Sequence, residues 1–532
     1  MALPAHHAPY AEAYRARGDW LRGAAPDHLR LHAAAGPDRV ALVDRSGALT
    51  YGALDRAVDS LAAFLAARGV GPGDAVAIQL PNTAAFAVAQ QAALRLGAAY
   101  VPLLPQLREH DLAYMLEIAR ARVLVIPDLW RGFDHRPMAL SLARTVPGLD
   151  TIVVAGEATA PGLVPLADVP EASFAGPPVS VDALRNVLFT SGTEARPKGV
   201  KHSYNTQYYG LQRHQKLFAL GPDDVIMAAS PVGHVTGAVN GIEMALLIGG
   251  KVVLLDAWDP HEALDLFARE RVTLMWGAAT FFTDLVRAQA ERPRDLSAFR
   301  LALTAGAPVP RDLIALVGDR LGATLVAAFG QSEGQNIAIN RLDDPPDRIA
   351  RWDGRIHEGI TYRLVDEQGG ESATGRGEFV YRGPNLCLGY LDPAHEAAAF
   401  APDGAIRSGD LAEVDAERFL RIVGRCKDII IRGGENISPA EVEGLLFDHP
   451  ALARVAVVGV ADARLGQRAV AVAVAAPGMS PTLADLAGWL EAKGVARFKW
   501  PERLVLLDEL PMTPSGKVRK EALRALLAEE AA

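Results

Sequence analysis

The sequence predicts an α/β protein with a large N-terminal domain of helix-covered, mostly parallel sheets and a small β-rich unit, followed by a small α+β domain. Three observations predict this. Strand-like and helix-like segments alternate along the first two thirds of the chain. Near residue 370 the texture changes to short strands separated by glycine and turn formers. After RFLRIVGRCKD a further segment carries its own helices and strands, which places the boundary between residues 1–425 and 426–532.

The elements follow in order. In ALTYGALDRAVDSLAAFLAARGV, residues Leu54, Val58, Leu61 and Leu65 share one helical face, and Gly69 offers a stop before the buried strand DAVAIQLP. Asn82 is read as the N-cap of TAAFAVAQQAALRLG, with the strand AAYVPLL after it. The alternation returns in DLAYMLEIARA with RVLVIP, in HEALDLFARERV with TLMWG, and in RDLIALVGDRLG with ATLVAAFG. Units of this kind imply parallel strands covered by helices. GEFVYRG then reads as a strand of the β-rich unit, and PAEVEGLLFDH, ARVAVVGV, RAVAVAVAA and TLADLAGWLEAKG build the last domain.

Composition restricts the function. The 532 residues include 54 basic and 63 acidic side chains, a net charge of −9, without a run of like charges. That balance argues against a nucleic-acid or anionic-membrane surface. Two cysteines, Cys387 and Cys426, are too few for a disulfide framework and suit a reducing, cytoplasmic location. The N-terminus has no apolar core of a signal peptide, and no stretch reads as a membrane span.

The loop LFTSGTEARPKGVKHSYN, residues 188 to 205, joins small hydroxyls, glycines and Lys198, the ingredients of an anion cradle, although such clusters also mark ordinary polar turns. It is not a Walker loop. The GK at Gly516 and Lys517 has Pro511 where the first glycine belongs and Val518 where the hydroxyl belongs. No GxGxxG fingerprint is complete either, since GVGPGD and GRGEFV lack the third glycine. Four more stretches join the loop: AFGQSEGQN with Glu333, RSGDL with Asp410, GRCKDIIIRGGENISPAEVE from Gly424, and PMTPSGKVRK with Lys517.

In order and spacing these five motifs resemble the adenylate-forming superfamily of acyl-CoA synthetases, luciferases and stand-alone adenylation domains, from about residue 35 to 525. The first loop is similar to TSGTTGxPKG, with Glu194 and Ala195 in place of the usual Thr and Gly. The resemblance implies that a carboxylic acid is first joined to ATP as an acyl-adenylate and then passed to a thiol. In-line attack of one anion on another needs positioning and charge neutralisation above all. By resemblance, Thr190, Ser191, Gly192, Thr193 and Lys198 cradle the β- and γ-phosphates. Gly330 and Ser332 meet the α-phosphate, and Glu333 with Thr190 holds Mg2+, a hard cation suited to oxygen ligands. Phe329 flanks adenine opposite Gly306 and Ala307, while Asp410 and Arg425 meet the ribose. Lys427 is the hinge of a mobile C-terminal domain that brings Lys517 to the reacting centre.

The resemblance also places His234 of ASPVGHVTGAVNG at the junction of acid and thiol, with Thr236, Trp276, Gly277 and Ala278 lining the acyl pocket. No carboxylate occurs between Val225 and Ile242, and Val235 follows the histidine, so an apolar acyl group is expected. Several stretches look most like medium-chain and cyclohexanecarboxylate-type CoA ligases. Arg432, Gly433 and Gly434 resemble the loop that meets the pantetheine of CoA. The expected reactants are a medium-chain, alicyclic or simple aromatic acid, ATP with Mg2+, and CoA. Loading of a carrier protein is the alternative, and an inactive nucleotide-binding scaffold a remote one. Candidate partners are a second copy of the chain, as a homodimer, and a lysine acetyltransferase acting at Lys517 within the pattern PxxxxGK.

Overall fold

The computed structural model describes residues 3–158, 160–190, 197–305, 309, 311–432, 435–462, 464–513 and 518–529. Two large sheets and one small sheet organise the chain. The first runs, in spatial order, through the parallel strands Val40–Asp44, Lys251–Leu254, Val225–Ala228, Leu274–Gly277, Leu301–Ala305 and Thr324–Gln331. The second carries Lys198–Ser203, Leu184–Thr190, Ala99–Pro102, Ala75–Ile78, Ala121–Pro127 and Thr151–Ala155 in neighbouring positions. Helices Tyr51–Ala66 and Ala84–Leu96 contribute to the apolar layer shared by these two sheets, where Leu54, Val58, Leu61, Phe86, Ile78, Tyr100, Ile226 and Trp276 belong to one buried cluster. Strands covered on both faces read as continuous apolar runs, which is why DAVAIQLP and TLMWG were legible.

Strands alternate their faces, and Leu274–Gly277 shows the consequence. Leu274 and Trp276 join the inter-sheet cluster, whereas Met275 joins the layer of helices Pro260–Glu270, Ala279–Glu291 and Arg311–Leu321 on the opposite face.

Two expectations change. Asn82 does not cap helix Ala84–Leu96: Thr83 occupies the N-cap position, and the first free N–H, that of Ala84, donates to Asp44 Oδ2 at 2.8 Å. The buried Asn82 amide instead donates to the carbonyls of Ala228 and Ser230 at 3.0 and 2.9 Å, and its oxygen accepts from Val232 N at 2.9 Å. Three tertiary partners outweigh one local cap. The β-rich unit, secondly, has its own core around Phe379, Tyr381 and Leu420, yet its strands continue the first sheet, because Gln335–Ile339 and Gly354–Ile356 extend it antiparallel from Thr324–Gln331.

The segment Val235–Ile248 is one helix with a widened, π-helical centre over Ala238–Glu243. Its last widened residue, Glu243, is buried and accepts from Tyr100 Oη at 2.6 Å, Arg185 Nη2 at 2.7 Å and Gln207 Nε2 at 2.6 Å. Widened turns of this kind gather at functional sites. The third sheet, formed by Ile430–Arg432, Glu435–Ile437, Leu452–Asp462, Gly466–Ala475 and Arg503–Leu506, packs a separate core with helices Pro439–Leu446 and Leu483–Ala492. Among the described residues no helix is long and apolar enough to cross a membrane.

Candidate active site

Strands Leu184–Thr190 and Lys198–Ser203 form a hairpin in which Thr190 pairs with Lys198, so these two residues close the ends of the hydroxyl- and glycine-rich loop. Strand Gly389–Tyr390 lies on the outer side of Lys198–Ser203. Gly199 packs closely there: a Cβ would stand 2.7 Å from Leu391 Cδ1, so the Leu391 side chain would have to shift. From this strand the Tyr390 hydroxyl donates to Glu333 Oε1 at 2.8 Å. Tyr390 thereby joins the strand Lys198–Ser203, on which the loop ends, to the Glu333 motif.

Glu333 sits at the tip of the hairpin Thr324–Gln331 and Gln335–Ile339. Glycine is needed on both sides of it: a Cβ on Gly330 would lie 1.9 Å from the Gln335 carbonyl oxygen, and one on Gly334 would lie 2.2 Å from Tyr381 Oη. Three successive tip carbonyls are each held. The Ser332 oxygen accepts from His202 Nε2 at 2.7 Å, the Glu333 oxygen from Cys387 N at 2.7 Å, and the Gly334 oxygen from Asn385 Nδ2 at 2.6 Å. Burial lowers the His202 pKa to about 4, so the ring is neutral at pH 7. The Ser332 carbonyl can only accept, which fixes the ring proton on Nε2, and the Thr206 hydroxyl lies 3.0 Å from Nδ1.

The same strand leads to the ribose candidates. Gln331 Nε2 donates to Asp410 Oδ2 at 3.0 Å, and Arg425 Nε meets Asp410 Oδ1 at 2.7 Å. Phe329 is half-buried, edge-on to Phe379 with ring centroids 6.2 Å apart. The structure therefore assembles Phe329, Gly330, Ser332, Glu333, Asp410 and Arg425 around one hairpin. Lys427 is exposed in the short turn Cys426–Asp428, where the chain leaves the first sheet for the third. Arg432 forms an ion pair with Glu502. Ser191, Gly192, Thr193, Gly306, Ala307, Gly433, Gly434 and Lys517 lie outside the described residues.

On the acid side, His234 occupies the N-cap position of helix Val235–Gly237, in the loop that Asn82 ties down. Thr236 and Ala278 are partly exposed, and Trp276 is buried with its carbonyl accepting from Ser230 Oγ at 3.3 Å.

Comparison with known proteins settles the family. Residues 29–391 match the model of the AMP-binding enzymes, and residues 441–517 match that of the AMP-binding enzyme C-terminal domain. The chain belongs to the AMP-binding enzyme family. It is 37% identical over 520 residues to the medium-chain fatty-acid–CoA ligase of Escherichia coli (strain K12), covering 96% of this chain and 92% of that one. It is 33% identical over 529 residues to the salicyl-AMP ligase / salicyl-S-ArCP synthetase of Mycobacterium tuberculosis (strain ATCC 25618 / H37Rv), covering 96% and 92%. The ATP-bound structure of MatB from Rhodopseudomonas palustris superimposes with a TM-score of 0.84 at 28% identity, covering 94% and 98%.

Sequence reading of this AMP-binding enzyme missed His202, Gln331 and Tyr390, and took Asn82 for a helix cap. His202 and Gln331 stood within quoted motifs, but nothing in a motif says whose carbonyl or carboxylate a side chain will reach. Gly277, expected in the acyl pocket, directs a would-be Cβ at Phe281 Cδ2 (2.7 Å) and Met275 Cε (3.1 Å), the face away from Trp276. Gly277→Leu should therefore overpack the helix layer, costing about 1–3 kcal/mol, and lower the thermal midpoint. The acid chain-length profile should stay as in the parent enzyme, and a shift toward shorter acids would show that the side chain reaches the pocket.

Proposed function

We propose that this AMP-binding enzyme joins a medium-chain, alicyclic or simple aromatic carboxylic acid to CoA through an acyl-adenylate, releasing pyrophosphate and AMP. The observation that carries the reading is the Glu333 hairpin, whose clamped tip stands opposite the hairpin of Thr190 and Lys198 and beside the Asp410–Arg425 pair. A preorganised site of this kind can stabilise charge that develops during attack without reorganising.

In this reading the loop hydroxyls of Thr190, Ser191 and Thr193, the Gly192 backbone and Lys198 hold the β- and γ-phosphates. Gly330 leaves room for the α-phosphate and Ser332 donates to it. Asp410 and Arg425 orient the ribose, and adenine lies between Phe329 and the Gly306–Ala307 backbone. The carboxylate of Glu333 and the hydroxyl of Thr190 are hard oxygen donors that fit Mg2+, which supplies neutralisation of phosphate charge when bound with ATP. Tyr390 fixes one Glu333 oxygen, leaving the other carboxylate oxygen for that role. His234, with Thr236, Trp276 and Ala278, meets the acid, and Lys517 offsets the repulsion between carboxylate and α-phosphate. Arg432, Gly433 and Gly434 meet CoA. The similarity to a medium-chain fatty-acid–CoA ligase supports this acceptor. The similarity to a salicyl-S-ArCP synthetase favours, as a second reading, transfer to a carrier protein.

The test is AMP and pyrophosphate release over a panel of acids, with and without CoA. CoA-dependent AMP release with medium-chain, alicyclic or aromatic acids is expected. Turnover with amino acids alone, or with none, would overturn it, and AMP release requiring a phosphopantetheinylated carrier protein in place of CoA would favour the second reading.

We further take residues 1–425 and 426–532 as bodies that rearrange about Lys427 between the two half-reactions. Such rearrangement concentrates φ/ψ change at a few residues. Proline fixes φ near −65°, so Lys427→Pro should hold one arrangement. Thioester formation should fall at least ~10-fold more than adenylate formation. Equal losses in the separately measured half-reactions would remove Lys427 from the hinge.

A further inference from the structure

Residues 4–20 form turns and the helix Ala11–Ala16, packed around a small core of their own made by Ala11, Tyr14 and Trp20. They precede residue 29, where the match to the family model begins, so that match assigns them no role. Asp19, 2% exposed, anchors the stretch to helix Tyr204–Leu217 by accepting from Arg213 Nη2 at 2.7 Å. From this base three side chains reach one buried run, residues 384–387. Trp20 Nε1 donates to the Pro384 carbonyl at 2.9 Å, His7 Nε2 to the Leu386 carbonyl at 2.7 Å, and His6 Nε2 to the Cys387 carbonyl at 2.9 Å. A carbonyl oxygen only accepts, so each histidine carries a proton on Nε2. Burial lowers the His7 pKa to about 3, and its ring is neutral at pH 7.

The same run holds the Glu333 tip from its other side. Asn385 Nδ2 donates to the Gly334 carbonyl at 2.6 Å and Cys387 N to the Glu333 carbonyl at 2.7 Å, while Tyr390, three residues on, donates to Glu333 Oε1 at 2.8 Å. Glu333 is thus held at its backbone and at its carboxylate by one short stretch of chain. The Leu386 carbonyl and the Cys387 N–H belong to a single planar trans peptide unit. His7 holds the oxygen end of that plane, and the Glu333 carbonyl receives its N–H end. Turning the plane to relieve one bond therefore misaims the other.

We infer that His7, supported by His6 and Trp20, is a positioning residue for Glu333: acting through the peptide unit between Leu386 and Cys387, it fixes where the Glu333 carboxylate stands toward ATP and Mg2+. The inference rests on the assignment of Glu333 to that site and adds to it residues that touch neither substrate nor metal.

The experiment uses the full chain and has two readouts: pyrophosphate release as a function of Mg2+ concentration, and, without acid, the Kd of ATP in the presence of Mg2+ by isothermal titration calorimetry. In His7→Leu, which removes the donor, the Mg2+ concentration for half-maximal rate and the Kd should both rise ~10-fold, the worth of one lost orienting bond, with KM for the acid unchanged. His7→Gln keeps an N–H donor at a similar reach and should restore most of the loss. Trp20→Phe, which keeps an aromatic ring and removes the donor to Pro384, should shift both quantities in the same direction and provides the second measurement should His7→Leu not fold. In a Glu333→Gln background His7→Leu should add nothing further, because the group through which it acts is already altered. A lowered thermal midpoint with both quantities at their parent values would mark these side chains as structural and overturn the inference, as would an equal further loss in the Glu333→Gln background. Unchanged Mg2+ dependence in Glu333→Gln itself defeats the metal assignment and this inference together, whereas a change there with none in His7→Leu defeats the positioning claim alone. Absence of pyrophosphate release with every acid defeats the ligase reading, and the ATP Kd then decides the positioning claim.

Discussion

Lys517→Ala should lower acyl-adenylate formation by on the order of a hundredfold or more, while attack of CoA on a supplied acyl-adenylate stays largely intact. The reacting carboxylate and the α-phosphate are both anions, and a lysine ammonium between them offsets repulsion that grows as they approach. Lys517 lies outside the described residues, and the match to the C-terminal family model ends on it. Acetylation removes the same charge, so a preparation acetylated at Lys517 should behave as the alanine variant and recover on deacetylation. The readouts are pyrophosphate release for the first half-reaction and acyl-CoA formation from synthetic acyl-adenylate for the second. Full adenylation activity in enzyme shown by mass spectrometry to be stoichiometrically acetylated at Lys517 would defeat both halves of the claim.

Glu333→Gln should be nearly as damaging, with adenylation reduced by roughly a hundredfold and the Mg2+ concentration for half-maximal rate raised. The substitution keeps the shape of the hairpin tip, whose carbonyls are held by His202, Cys387 and Asn385, and removes the charge. Burial and then the neighbouring Glu333 push the Tyr390 pKa far above the ordinary phenol range, so its hydroxyl remains a donor at working pH. Tyr390→Phe should accordingly cost less, about tenfold, because the carboxylate stays and loses only its orienting bond. Titration of Mg2+ against pyrophosphate release in both variants checks this. Unchanged Mg2+ dependence in Glu333→Gln would separate Glu333 from the metal.

Much of this was legible because it is local or repetitive. The apolar runs DAVAIQLP and TLMWG, the helical spacing of Leu54, Val58, Leu61 and Leu65, and the turn residues around AFGQSEGQN are short-range signals, and each became the element expected of it. The family motifs are likewise continuous stretches. What a side chain touches across the fold is not written in its neighbours. Asn82 looked like a cap and became a tie for the His234 loop, because Ala228, Ser230 and Val232 offered more partners than the helix end did. At Gly277, expected in the acyl pocket, the two-residue period of the strand would point a side chain toward Phe281, which the spacing of the motif does not report. The joining of the β-rich unit to the first sheet depended on pairing between Gly354–Ile356 and Phe419–Arg425, which no composition reports. By itself the sequence determined the strand–helix alternation and the chemistry of its motifs, since covalent order and side-chain type are sufficient for both. Only the tertiary structure decided that His202 holds Ser332 and that Tyr390 holds Glu333, because satisfaction of buried polar atoms is a property of three-dimensional packing.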